Sequence, residues 1–217
     1  PLSKMMSSFI ENVPCCSHWD KIIVHNPVNT DVYGLRKKND CRKALGLPCD
    51  KIVLLFVAYN IVDKRKGLNR VVAALRLIGR DDIVLCCVGG YDNSLIIEVP
   101  HVLLGSINDE HLLNQVYSSA DIFVLASEQE AFAQTPLESI ASGTPVVATP
   151  CSGTEELVNK YNGVRCRDFS TDEMARCIKL ALDTKYDSEQ MREDIINRFS
   201  PDYIASQYME IYQGMLK

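Results

Sequence analysis

The sequence predicts an α/β protein built on a doubly wound parallel sheet. Three observations carry that prediction. Apolar runs of strand length alternate with helical patterns through the body of the chain. The runs Ile52 to Tyr59, Ile83 to Val88 and Ile122 to Ala126 are almost continuously apolar, as strands covered on both faces are. Gly and Pro punctuate the pattern where elements should end, as at Gly46, Gly105, Gly143 and Pro145.

In chain order, residues 1–21 are irregular in pattern, and Lys21 to His25 reads as a short strand broken by Asn26-Pro27. Asn29 to Asn39 is polar and basic, so residues 1–40 read as an extension and linker ahead of a domain over 41–217. Asp40 to Leu47 predicts a short helix. The Ile52 strand is followed by the loop NIVDKRKG and a helix carrying Leu68, Val71, Val72, Leu75 and Ile78 at helical spacing. Ile83 to Val88 is a strand closed by Gly89-Gly90, and Pro100 to Leu104 is another. A helix with Leu112, Leu113, Val116, Tyr117 and Ala120 starts near Asn108 or Asp109. After the Ile122 strand, Thr135 as N-cap, Pro136 at the first position and Glu138 at the third predict a helix start. Pro145 to Thr149 and Gly163 to Cys166 are strands, Ser152 with Glu155 fits a capping box, and Ser170 to Glu173 fits another. The last helix begins at Ser200-Pro201; its tyrosines suit a half-wet face.

Bulk properties exclude several classes. The composition is 47% apolar and 24% charged, ordinary for a globular protein, and no run reaches eighteen apolar residues. The chain opens on Pro1 without a charged-then-apolar leader, which reads as a fragment or a processed chain rather than a natural start. A net charge of −5 argues against nucleic acid as the main partner. None of the nine cysteines forms a C-x-x-C pair, and Cys86-Cys87 lies inside a strand pattern, so reduced, partly buried thiols of a cytosolic protein are expected. The four histidines are scattered and make no metal motif.

Three features converge on an anionic ligand. The loop after the Ile52 strand brings Lys64, Arg65 and Lys66; the loop after the Ile122 strand brings Glu128 and Glu130; the helix at Pro136 brings its first amides. In a parallel sheet these strand-end loops share one edge. Cations with helix amides suit a phosphate or diphosphate, and carboxylates suit sugar or ribose hydroxyls. Each group also has a plainer role: Glu138 as a capping-box partner of the Thr135 amide, Glu130 and Lys64 as solvated charges, Gly89-Gly90 as a turn.

Several stretches, in order, carry a family resemblance. EQEAFAQTPLESIASGTPVVATPCSGTEELV, with Glu130 and Glu138 framing seven residues, resembles the retaining glycosyltransferases of family 4, which have the GT-B architecture. VDKRKG is similar to their Lys-Gly diphosphate loop, HNPVNTDVY to their segment ahead of the domain, and LGSINDEHLLNQVYSSADIFVLAS to the stretch before the Glu motif. The resemblance covers about residues 22–217. It implies a Rossmann-like donor-binding domain, one half of the GT-B pair, and a substrate that is a nucleoside-diphosphate sugar.

By that resemblance Lys66 holds the donor diphosphate with Arg65 as helper, and Glu130 faces the donor sugar; these three are the candidate catalytic residues. Glu138 binds the ribose. The backbone of Phe132, Ala133 and Gln134, with Thr135 at the helix start, meets sugar and phosphates, and the backbone near Ile107 meets the base. Asn60 stands where the family carries a Lys or Arg, so one diphosphate charge partner is absent, a contact worth about 1.5–3 kcal/mol. Ala131 and Ala133 replace the family's glycines. The resemblance implies no cofactor and no obligatory metal, consistent with the lack of an Asp-x-Asp motif. It further implies a glycan or lipid-linked acceptor held by a separate N-terminal domain, a cytoplasmic enzyme with peripheral association at the inner face of the membrane, and a role in polysaccharide biosynthesis. It also leaves apolar surface exposed on the last helix. A GT-B sugar-nucleotide epimerase and a non-catalytic binding module are the alternatives.

Overall fold

The computed structural model describes residues 1–216. Its elements, in order, are α1 (Lys4–Glu11), α2 (Lys38–Leu45), β1 (Ile52–Asn60), a 3-10 turn (Lys64–Lys66), α3 (Leu68–Ile78), β2 (Ile83–Gly90), β3 (His101–Gly105) and α4 (Glu110–Ser119). There follow β4 (Ile122–Leu125), α5 (Gln134–Ala141), β5 (Val146–Ala148), α6 (Thr154–Leu157), β6 (Gly163–Arg165), α7 (Thr171–Asp183), α8 (Ser188–Phe199) and α9 (Pro201–Met215). The six strands form one parallel sheet in the order β3-β2-β1-β4-β5-β6. The strand order reverses between β1 and β4, and the crevice at the C-terminal ends of those two strands is where such a sheet binds ligands.

Two apolar layers cover the sheet. One packs α3 and α7 on Leu54, Phe56, Leu85, Ile122 and Val124. The other packs α4, α5 and α8 on Val53, Leu55, Cys86, Phe123 and Leu125, with Val28 and Tyr33 of the N-terminal segment inside it. Alternate residues of one strand thus serve opposite layers, which is why the strands read as unbroken apolar runs.

The switch point is fastened from below by Asp121, the residue before β4. Its carboxylate accepts from Lys38 Nζ (2.8 Å), from the Val53 amide at the foot of β1 (2.7 Å) and from the Arg42 guanidinium. Arg42 is buried and also donates to the carbonyls of Ser119 (2.8 Å) and Lys51 (2.9 Å), so it joins α2 to both strands. Burial works to raise the Asp121 carboxyl, but Lys38, the Val53 amide and Arg42 together hold it below its ordinary value.

Several expectations need correction. Lys21 to His25 forms no strand. Residues 4–11 are a helix capped by Ser3, whose hydroxyl accepts from the Met6 amide. Gly89 and Gly90 do not close β2 but continue it: Gly90 pairs with Asn60 and accepts from the Ile61 amide (2.9 Å). Helix α8 carries its buried side chains, Met191, Ile195 and Phe199, in one narrow row among charged residues, a stripe too thin to stand out in the sequence. Ser152 caps nothing; α6 begins after Gly153, and the Ser152 hydroxyl instead meets Ser3 Oγ (2.6 Å) and donates to the Ala131 carbonyl (3.0 Å). The Ser170 cap is present, accepting from the Glu173 amide (3.2 Å). On α9 only Ile204 is buried, while Tyr203, Tyr208, Met209, Tyr212 and Met215 are exposed, as expected of that face. All nine cysteines are free, and Cys41, Cys86, Cys87, Cys151, Cys166 and Cys177 are buried; burial alone lifts the Cys86 thiol to about 12.

Replacing Asp121 strands the buried Arg42 charge. Asp121→Ala is expected to lower unfolding stability by about 3 kcal/mol, read as a lower urea midpoint at unchanged slope. Because the folded carboxyl titrates low, the stabilisation is present above 3.8, the ordinary aspartate value, and lost as pH falls through the folded value. The gap between wild type and variant should therefore narrow in acid.

Candidate active site

At the C-terminal edge, the chain leaves β1 through Asn60 and turns at Asp63, whose carboxylate accepts from the Arg65 amide (3.0 Å) and so starts the Lys64–Lys66 turn. Gly67 ends that turn and opens α3 at φ 77°, in the left-handed region. A Cβ there would lie 2.2 Å from the Ala126 carbonyl oxygen. Glycine therefore lets the cationic turn press onto the end of β4. The Glu128 amide, donating to the Arg65 carbonyl (2.9 Å), completes the join between the two loops.

Across that join Lys66 Nζ donates to Glu130 Oε1 at 2.8 Å. The two residues singled out from loops 64 positions apart thus meet, both partly enclosed. Arg65 does not join them: its guanidinium holds Asp63 (2.7 Å) and its side chain is 78% exposed. Asn60 is exposed and its Oδ1 accepts from the Val62 amide (3.1 Å), a turn-shaping role. Tyr59 beside it is 96% exposed, unforeseen within a strand pattern. Arg70, also unforeseen, donates to the Ala126 carbonyl (2.7 Å) and pairs with Glu128 (3.3 Å), bracing the same loop from α3.

Beyond Glu130 the loop dives inward. Phe132 is buried, stacked on His25 (centroids 4.9 Å, interplanar 22°) and tilted against Phe199 (6.0 Å). Ala133 is extended (φ −70°, ψ 124°), and no described non-glycine residue has positive φ, so neither alanine demands a glycine's freedom. Ala133, not Thr135, is the N-cap of α5, and it offers no side-chain acceptor. The first-turn amides of Gln134 and Thr135 are left uncapped, and Pro136 has none to offer. Gln134 Nε2 donates to the Pro27 carbonyl (3.0 Å). Ile107, two residues past β3, is half-buried against the α4 layer.

The shifted helix start removes Glu138 from capping range. It lies in the second turn, where Oε2 accepts from the Tyr117 hydroxyl (2.7 Å) and, among the described residues, Oε1 accepts nothing. Burial raises its carboxyl, and the nearby Glu110 charge adds to this against the Tyr117 hydrogen bond. The Tyr117 phenol, fully buried, is pushed well up by burial and by Glu138. A half-buried acid with one fixed and one unclaimed oxygen is a hydrogen-bond acceptor held ready. Beneath Glu130, burial lifts the Cys151 thiol to about 11 despite a lowering by Thr149.

The arrangement is therefore a cation and a carboxylate in contact, uncapped helix amides, and a second, half-buried carboxylate eight positions on. Comparison with known proteins gives it a setting. The family model for glycosyl transferases group 1 matches residues 37–198. The chain belongs to that family. Among its glycosyltransferase relatives, one from Methanocaldococcus jannaschii is 26% identical over 214 residues, covering 89% of this chain and 54% of its own length. An N-acetyl-alpha-D-glucosaminyl L-malate synthase of Bacillus anthracis is also 26% identical, with the same two coverages. The chain spans about half the length of the curated relatives it matches. Among solved structures, sucrose-phosphate synthase from Thermosynechococcus elongatus superposes with a TM-score of 0.83 at 22% identity, over 99% of this chain and 57% of that one. Anabaena HepE in complex with UDP-glucose superposes at 0.75, with 20% identity, over 89% and 57%. The fold of this glycosyltransferase family member is thus the Rossmann-like α/β sheet of the GT-B architecture.

Two substitutions test the local construction. Gly67→Ala combines a left-handed backbone with a collision against a carbonyl, and should cost about 2 kcal/mol or more, visible as a lower melting temperature. Glu138→Gln keeps an acceptor for Tyr117 and removes the buried charge. It should raise Tm at pH 7 by about 2 °C. Stability from a raised carboxyl is fully present below its ordinary value of 4.5 and lost as pH rises through the folded value. The advantage of the variant should accordingly vanish below pH 4.5.

Proposed function

We propose that this chain is the donor-binding half of a retaining family 4 glycosyltransferase, moving a hexose from a nucleoside-diphosphate sugar to a glycan or lipid-linked acceptor. The observation that carries the reading is the meeting of Lys66 and Glu130 at 2.8 Å beside the uncapped start of α5. A lysine and two free amides suit a diphosphate, whose charge grows as the sugar leaves, and their effect on that leaving group is electrostatic. Glu130 supplies acceptors for sugar hydroxyls and the unclaimed Oε1 of Glu138 an acceptor for ribose. HepE, bound to UDP-glucose in its crystal, shares this fold.

In this reading Arg65 turns from Asp63 toward the diphosphate as a helper, and the backbone at Phe132 to Thr135 and at Ile107 meets the sugar, phosphates and base. No cofactor or obligatory metal takes part. The acceptor is held by residues outside this chain, so the 217 residues bind donor without turnover. The intact enzyme works in the cytoplasm at the inner face of the membrane, in polysaccharide assembly.

Titration calorimetry with UDP, GDP and ADP tests the reading. At least one should bind, and Lys66→Ala should weaken it about tenfold or more, as loss of a charge-assisted contact does. Failure of all three to bind a folded protein would leave a non-catalytic binding module in its place.

A further inference from the structure

Three of the four cations at the ligand edge are already occupied, and the fourth, Lys64, is exposed. Lys66 holds Glu130 (2.8 Å), Arg65 holds Asp63 (2.7 Å) and Arg70 holds Glu128 (3.3 Å). Of the three carboxylates Glu130 is the most enclosed, its side chain 17% exposed against 26% for Asp63 and 54% for Glu128. Its pair also differs in kind. The Asp63 pair lies within one turn, and Arg70 is anchored by the Ala126 carbonyl as well. Lys66, by contrast, has no other side-chain partner among the described residues, and reaches across from the β1 loop to the segment that leads into α5.

We propose that Glu130 is a built-in counter-ion: it occupies Lys66 while the site is empty, is displaced by the donor diphosphate, and then accepts from the donor sugar. The inference rests on the donor-binding reading above. A diphosphate carries more charge than one carboxylate and gains the α5 amides besides, so it wins the ammonium. Glu130 then needs new hydrogen-bond donors, because a partly enclosed carboxylate without partners is costly. Sugar hydroxyls supply them, and a bare nucleoside diphosphate does not. The exchange therefore favours nucleotide sugar over free nucleotide, although both share the diphosphate. It also assists release: once the sugar has gone, Glu130 loses its hydroxyl partners and competes again for Lys66, which weakens the hold on the nucleoside diphosphate.

Calorimetry of wild type and E130Q with UDP, GDP and ADP, and with their glucose conjugates, tests this. E130Q removes the competing charge, so it should bind the free nucleoside diphosphate about threefold tighter or more, the scale of a partly exposed ion pair. Its preference for the conjugate over the free nucleotide should shrink by a larger factor. E128Q, which frees Arg70 instead, should leave that preference unchanged. Equal or weaker binding of the free nucleotide by an E130Q protein with wild-type circular dichroism would overturn the inference while leaving donor binding standing. Absence of binding by wild type itself would remove the donor-binding reading, and the inference with it.

Discussion

The adjacency of β1 and β4 is the constraint on which everything at the ligand edge depends. These two strands are far apart in sequence and paired through Leu54 with Ile122 and Leu55 with Phe123. Their connections run to opposite sides, so a crevice opens where they end. Asp121 secures the pairing at the foot by holding the Val53 amide, and Gly67 secures it at the top by allowing contact with the Ala126 carbonyl. Between those two fastenings the strands are plain apolar core. The polar groups with chemical potential are thereby confined to one end of a rigid element, the placement that best holds a precise geometry.

Much of this was legible because strands buried on both faces announce themselves. Ile52 to Tyr59 and Ile122 to Ala126 could hardly be anything else, and a parallel sheet then obliges their following loops to meet. That is why the loop of Lys64, Arg65 and Lys66 and the loop of Glu128 and Glu130 can be placed at one edge from the sequence, while the particular contact of Lys66 with Glu130 belongs to the fold. The start of α5 was not legible to the residue. Proline is tolerated throughout the first helical turn, where amides lack intrahelical partners, so Pro136 fits equally with Thr135 or Ala133 as the cap. The difference of two residues decides whether Glu138 reaches back to an amide or inward to Tyr117, and only tertiary packing settles it.

Other losses have similar causes. Gly89-Gly90 reads as a strand stop on local grounds, but Asn60 and Ile61 continue the ladder alongside it. Helix α1 groups Met5, Met6, Phe9 and Ile10 at helical spacing, but it is only eight residues long and buries none of them, so the pattern is easily passed over. Arg65 and Lys66 are adjacent in sequence and chemically alike, and yet one turns to its own loop and the other across the crevice. The Asp63 cap that shapes the turn fixes which is which, and composition alone cannot show it.

The loop that carries Ala131 and Phe132 is held from outside the sheet as well as from within. Ser3 meets Ser152, which in turn grips the Ala131 carbonyl, and His25 lies flat on Phe132 while its Nδ1 contacts the Leu2 carbonyl (2.8 Å). Two of the first twenty-five residues, Ser3 and His25, therefore bear on the segment between Glu130 and α5. That segment cannot shift without either dragging the N-terminal strap or unstacking an imidazole from a buried ring. The strap and the loop are thus joined by a hydroxyl chain and a stacked ring pair, and the joint lies within two residues of Glu130.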